Sequence, residues 1–229
     1  MAHYVISDIH GEADRFHTML EKIKFSADDT LYILGDVIDR GPDGIALLRE
    51  IMAAPNMVML LGNHEYMMVD YLKSDPDPIA KRRWNRNGNW PTLDAFLKLK
   101  AREQKEILDY LKSLPTHLEV EINGQRFYLV HGFPGSNVHD EVWSRPDLNT
   151  LNPMPGFQII IGHTPVLSLI QPEEERIKYA MDLESRGEHL RICHAEGFID
   201  IDCGCGHSYP IKALACIRLE NMDELYVRI

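Results

Sequence analysis

Residues 31–41 read Leu31-Tyr32-Ile33-Leu34-Gly35-Asp36-Val37-Ile38-Asp39-Arg40-Gly41, an apolar run of strand length that halts at a glycine and delivers two acids and an arginine. A short apolar run bounded by turn residues is the pattern of a strand buried on both faces. The same grammar stands upstream, where Tyr4-Val5-Ile6 runs into Ser7-Asp8-Ile9-His10-Gly11, and downstream, where Met59-Leu60-Leu61 runs into Gly62-Asn63-His64-Glu65. Between the runs, Phe16, Met19, Leu20 and Ile23 fall at i, i+3, i+4 and i+7, and residues 45–52 repeat a helical pattern. Strand and helix therefore alternate as β-α-β-α-β, which predicts an α/β unit with parallel strands.

Residues 65–114 are mostly helical by pattern, broken by Asp75-Pro76-Asp77-Pro78 and by Asn87-Gly88-Asn89 with Pro91 following. They read as a helical insertion over the strand ends of one domain spanning residues 1–229. From His117 the pattern turns to strands: residues 118–122 and 127–130 flank Asn123-Gly124, a strong hairpin signal. Apolar runs at 159–161, 198–201, 213–219 and 225–229 complete a β-rich second half, and Pro134, Pro146, Pro153 and Pro155 mark a long connection where a functional loop would sit. The expected fold class is α/β, two mixed β-sheets packed face to face with flanking helices.

The 229 residues carry 24 Lys and Arg against 35 Asp and Glu, a formal net charge of −11, with 45% hydrophobic and 26% charged residues. That balance excludes a disordered tail and argues against partners such as nucleic acid or an anionic membrane, because a broad negative field repels both. No apolar run approaches the roughly 20 residues that span a bilayer. The first eight residues lack the basic and apolar regions of a secretory signal, so a cytoplasmic protein with four reduced cysteines is expected.

The chemistry stands immediately after the strands. Besides Asp8, His10, Asp36 and Asn63, the run 128–130 leads to His131-Gly132 and the run 159–161 to Gly162-His163-Thr164. Loops at the carboxyl ends of strands in an α/β sheet converge on one crevice, so these six side chains are expected to meet there. Carboxylate, imidazole and amide oxygen without thiolate suit a borderline-to-hard divalent ion, with Mn, Fe or Zn the choices and Mn first. Six ligands with one shared carboxylate are enough for two ions: Asp8, His10 and Asp36 on one, Asp36, Asn63, His131 and His163 on the other. Two divalent ions bring about +4, two carboxylates and a hydroxide remove about 3, and a residue of roughly +1 makes a positive hole in a negative surface.

At these residues the sequence resembles the metallophosphoesterase superfamily, and within it the small bacterial and bacteriophage serine/threonine phosphatases of the phosphoprotein phosphatase family. The blocks DxHG, GDxxDRG, GNHE, HG and GH occur in order from Asp8 to His163. The resemblance implies a four-layer α/β/β/α sandwich and a dinuclear phosphomonoesterase acting on phosphorylated proteins or small phosphoesters, in which a metal-bridging hydroxide attacks phosphorus in line. It implies that His64 protonates the departing oxygen, that Asp39 holds the His64 imidazole, and that Arg40, Asn63 and Arg145 contact the phosphoryl group, Arg145 by its place in Trp143-Ser144-Arg145. Residues 84–92 resemble a family element at the site mouth, with no catalytic role assigned. Phosphodiesterases of the superfamily commonly carry a second histidine in the last block, where this chain has Pro165.

Two alternatives stand beside that expectation. Symmetrical dinucleoside tetraphosphate hydrolases share the blocks but typically lack the acid of DRG and carry GNHD, whereas this chain has Asp39 and Glu65. A non-catalytic scaffold of the same fold is disfavoured because every implied ligand is present. His3, His17, His117, His139, His189 and His194 stand outside any motif. The stretch Cys203-Gly204-Cys205-Gly206-His207 lacks the spacing of a zinc finger or ribbon, and Cys203 reads as a small hydrophobe at a strand end. Residues 173–176, Glu-Glu-Glu-Arg, read as a solvated loop, and the methionines between 52 and 68 as core filler.

Overall fold

The computed structural model describes every residue except Pro76, Tyr209 and Ile229, so the Pro76 breaker and the last residue of the run 225–229 lie outside the described residues. In chain order the elements are β1 (His3–Ile6), α1 (Ala13–Ile23), β2 (Thr30–Ile33), α2 (Gly44–Ala53), β3 (Met57–Met59), α3 (Asn63–Tyr71), α4 (Pro78–Arg86), α5 (Trp90–Leu97) and α6 (Ala101–Ser113). The second half holds β4 (His117–Ile122), β5 (Gln125–Val130), α7 (Val138–Trp143), β6 (Gln158–Ile161), α8 (Val166–Ile170), α9 (Glu173–Ser185), β7 (Cys193–His194), β8 (Ile199–Asp200), β9 (Ala213–Arg218) and β10 (Asp223–Arg228).

Two mixed five-stranded sheets result, ordered β10-β9-β1-β2-β3 and β4-β5-β6-β8-β7. Parallel pairing sets β1 beside β2 with Tyr4 opposite Leu31 and Ile6 opposite Ile33, and β2 beside β3 with Ile33 opposite Met59. Because side chains alternate across a strand, β1 sends Val5 to one face and Tyr4 and Ile6 to the other. Val5 joins Leu34, Phe127, Leu129, Ile160 and Ile217 in the core between the sheets. Tyr4 and Ile6 pack with Phe16 and Met19 of α1 and Leu47 and Leu48 of α2 on the outer face of the first sheet. The β4–β5 turn has Asn123 and Gly124 both at positive φ, 52° and 80°, as a two-residue hairpin of the I′ type requires.

Helices flank the sheets unequally. The outer face of the second sheet is covered by an aromatic cluster of Tyr128, Phe133 and Phe198 with Phe157 and Leu169, while Ala180 and Leu183 of α9 enter the core between the sheets. Residues 173–176 are not a loop: they are the first turn of α9, where Glu173, Glu174 and Glu175 oppose the positive end of the helix dipole. Among the described residues, no helix is long and apolar enough to cross a membrane.

Candidate active site

The strand ends deliver the six expected ligand residues to one place. Asp8 and His10 follow β1, Asp36 follows β2, Asn63 opens α3, His131 follows β5 and His163 follows β6. All six side chains are buried, none more than 4% exposed. His10 Nε2 lies 3.8 Å from Asp8 Oδ1 and 3.6 Å from Asp36 Oδ2. His131 Nε2 lies 3.3 Å from Asp36 Oδ1 and 2.9 Å from Asn63 Oδ1, which is also 2.8 Å from His163 Nδ1. Among the described residues two groups of metal-capable atoms emerge, His10 with Asp36 and His64, and Asp36 with His131 and His163, and Asp36 is the residue they share. Its two oxygens face opposite ways, one toward each group.

The backbone is bent to achieve this. Among the described residues, Asp8, His10, Asp36, Asp39, Arg40 and His163 are six of the nine non-glycine residues at positive φ. A side chain in the left-handed region costs on the order of 1 kcal/mol or more, and such strain gathers where a site must be held in one geometry. Glu65 supplies part of the hold: its buried carboxylate accepts the amides of Asp36 at 2.9 Å, Val37 at 2.9 Å and Gly62 at 3.2 Å, fixing the turn after β2 against the start of α3. Burial and the Asp36 charge push Glu65 up to about 7.

So many ionisable groups in one dry pocket pull each other's titrations apart. Burial works against charge on Asp36, yet the imidazoles of His131 and His64 hold its carboxyl well below the usual range. Burial opposes protonation of His131 too, and the Asp36 carboxylate overrides it, lifting that imidazole to about 9. His163 is driven down to about 2 by burial, His131 and Arg145. The donor set of oxygens and imidazole nitrogens around Asp36 fits a pair of divalent ions.

His64, a member of the first group, is also half of a dyad. His64 Nδ1 and Asp39 Oδ2 are 2.6 Å apart, and Asp39 Oδ2 also accepts the indole N–H of Trp84 at 2.6 Å. The Asp39 amide donates to Thr92 Oγ1 at 2.8 Å and the Arg40 amide to the Gly88 carbonyl at 2.9 Å. Residues 84–92 thus clamp the acid and the arginine of the block after β2. The Arg40 guanidinium reaches His64 Nε2 at 3.3 Å and His207 Nε2 at 3.0 Å. Arg145 lines the same cleft, a cavity of about 150 Å³, opposite Asp8, Asp36 and His163.

The sequence assigns several residues of the site no role, although it places residues 84–92 at the site mouth. Trp84 lies in a basic helix and is fully buried, with only its indole nitrogen reaching Asp39. His207 lies in the stretch after β8, and a Cβ on its neighbour Gly206 would stand 2.2 Å from the His10 ring, so that stretch packs directly on the site. Asp202, which also lines the cleft, and Asp200 are buried, both carboxyls pushed well up by burial. The Cys-Gly-Cys-Gly-His run therefore forms a wall of the cleft, with Cys203 and Cys205 buried in the core.

The calcineurin-like phosphoesterase family model matches residues 1–208, which include all five strand-end blocks. The chain belongs to this family. Among its relatives, a symmetrical bis(5′-nucleosyl)-tetraphosphatase of Delftia acidovorans is 32% identical over 88% of this chain and 70% of its own length. A serine/threonine-protein phosphatase 1 of Salmonella typhimurium is 33% identical over 71% of this chain and 78% of its own. A serine/threonine phosphatase structure from Saccharomyces cerevisiae superposes with a TM-score of 0.62 at 14% identity, covering 100% of this chain and 80% of that one, a likeness of fold. Calcineurin-like phosphoesterases work with a dinuclear metal centre, and the two clusters that share Asp36 are this chain's candidates for it.

Proposed function

We propose that the chain is a two-metal phosphomonoesterase acting on phosphoserine and phosphothreonine in proteins. The observation that carries the reading is the pair of metal-capable groups joined through Asp36, the first of which holds His64, itself paired with Asp39, and has Asp8 3.8 Å from His10. Asp8, His10 and Asp36 would hold one ion and Asp36, Asn63, His131 and His163 the other, with manganese the expected metal. When bound, two divalent ions supply Lewis acidity toward the phosphoryl oxygens and make water a nucleophile at neutral pH.

The chain's own residues do the rest. Arg40, Arg145 and Asn63 all line the cleft, where the two arginines would grip phosphoryl oxygens with planar forks and Asn63 would contact the same group. His64 would deliver a proton from Nε2 to the oxygen that departs once Arg40, which donates to that nitrogen at 3.3 Å, turns to the phosphoryl group, while Asp39 accepts from Nδ1 and stabilises the charged ring. A seryl or threonyl alkoxide is a poor leaving group, which is the case where such a proton matters most.

A second reading, symmetrical hydrolysis of dinucleoside tetraphosphates, is favoured by the longer match to the Delftia relative. Asp39 favours the first reading, because a tetraphosphate leaves as a phosphate oxygen with less need of an acid. Turnover of a phosphoserine peptide and of diadenosine tetraphosphate, each with manganese, decides between them. In both readings Asp36→Ala loses activity with the fold intact, and in the first His64→Ala loses it on the phosphoserine peptide; full turnover of both substrates by Asp36→Ala, or of the peptide by His64→Ala, would refute the site.

A further inference from the structure

We propose that the helix α4 makes the site select phosphoesters whose leaving group carries negative charge of its own. This rests on the reading of the cleft as a phosphoester hydrolase site and adds to it the class of substrate. The helix Pro78–Arg86 holds Lys81, Arg82, Arg83 and Arg86 and no acid, on a chain whose net charge is −11. On the neighbouring helices the exposed cations Arg49, Lys98, Arg102 and Lys105 each hold a carboxylate. Among the described residues no ion pair joins the four cations of α4 to a carboxylate.

The helix stands at the lip of the cleft. Trp84 ties it to Asp39, and Asn87, one residue past its end, lines the cavity while its side chain donates to the Arg83 carbonyl at 2.8 Å. The Arg83 guanidinium lies 5.6 Å from the ring centroid of Trp143, which also lines the cavity, next to Arg145 in the chain but one. A helix C-terminus favours cations wherever it lies; the seat of Arg83 over a wall residue of the cleft is what aims this one at the substrate. Arg82 and Arg86 are exposed and one turn apart on the same helix.

A phosphoryl group bound in a cavity of about 150 Å³ leaves the rest of the substrate outside, across this lip. The long-range field of an acidic protein repels an anionic leaving group, and unpaired cations at the lip reverse that locally. The shared chemistry is an anion next to the scissile ester, supplied either by acidic side chains of a phosphopeptide or by further phosphates of a polyphosphate chain.

The test compares kcat/KM, with manganese, for two phosphoserine peptides differing only in three Asp or three Asn beside the phosphate, for diadenosine tetraphosphate, and for p-nitrophenyl phosphate. Exposed charge contacts are worth between about 1.5- and 5-fold each, so the native enzyme should prefer the acidic peptide by roughly tenfold at low salt. The preference should shrink in Arg83→Ala, persist in Arg83→Lys, invert in Arg83→Glu, and vanish near 1 M salt, where the Debye length is about 3 Å. Lys105→Ala, on the far helix α6, should leave it unchanged. If only the tetraphosphate responds to Arg83, the anion is a polyphosphate; if only the acidic peptide does, it is a peptide. Hydrolysis of p-nitrophenyl phosphate with equal rates on both peptides, and no response of either substrate to Arg83→Glu, overturns this inference alone. Absence of hydrolysis of every substrate overturns the phosphoesterase reading and this one with it.

Discussion

Asp39→Asn isolates the role of the dyad. The substitution keeps shape and one acceptor oxygen but removes the charge that faces His64 at 2.6 Å in a pocket where Asp39 is 0% and His64 1% exposed. Asp39 Oδ1, which the new amide nitrogen would replace, is buried without a hydrogen-bond partner, so the change breaks no other contact. A hydrogen bond to a charged group contributes about 1.5–3 kcal/mol, and at roughly 1.4 kcal/mol per tenfold that is a loss of about 10- to 150-fold if it is made in the transition state. The loss should depend on the leaving group. A phosphoserine peptide, whose alkoxide needs a proton, should show all of it, whereas p-nitrophenyl phosphate, whose phenolate leaves unaided, should fall by no more than about threefold. Steady-state kcat on both substrates with saturating manganese, alongside thermal melting to confirm the fold, provides the assay. Equal losses on the two substrates would show that Asp39 acts by shaping the site, and the proton-donor role of His64 would fall with it.

Two further perturbations probe the scaffold. Gly62→Ala places a Cβ 2.3 Å from Asp36 Oδ1 and 2.4 Å from the Asp36 amide, so it should cost about 1–3 kcal/mol and weaken manganese binding in titration calorimetry; an unchanged affinity contradicts the packing described. Glu220 anchors the start of β1, accepting the His3 amide at 3.0 Å and standing 2.7 Å from His3 Nδ1. Burial opposes its charge, but those bonds to His3 hold its carboxyl below the ordinary 4.5. A carboxyl with a depressed folded pKa stabilises above its unfolded value and loses that contribution as pH falls through the folded one. Glu220→Gln should therefore unfold at lower urea than the native chain at pH 7, with the gap narrowing below about pH 4.5; a gap independent of pH argues against the linkage.

The first half of the fold was open to reading because each strand is a short apolar run that ends in a glycine and a polar cluster, and the pattern of Phe16, Met19 and Ile23 is the face that α1 buries. The second half was harder. The helix α9 buries only Ala180 and Leu183 while Ile177 and Met181 are exposed, so its apolar residues trace no single stripe and its acidic opening resembles a loop. At the site, ligand residues announce themselves by type and place, since few roles other than chemistry set aspartate and histidine at successive strand ends. Trp84, Glu65 and Gly206 act through an indole nitrogen, a backbone grip and an absent side chain. The GNHE block and the stretch 84–92 mark where Glu65 and Trp84 stand but not what they touch, because such contacts exist only once residues distant in the chain are packed together.

Asp8, Asp36 and Asn63 are carried by the first sheet, and His131 and His163 by the second. The Asp8 carboxylate accepts the His163 amide at 3.0 Å, and His131 Nδ1 reaches the Leu34 carbonyl at 2.7 Å, so the two halves of the sandwich are stitched along this seam. Cations seated there would rivet one sheet to the other, and the molecule's mechanical integrity and its chemistry would share a single joint: whatever lets the layers slide by a fraction of an ångström detunes the reaction before it loosens the core.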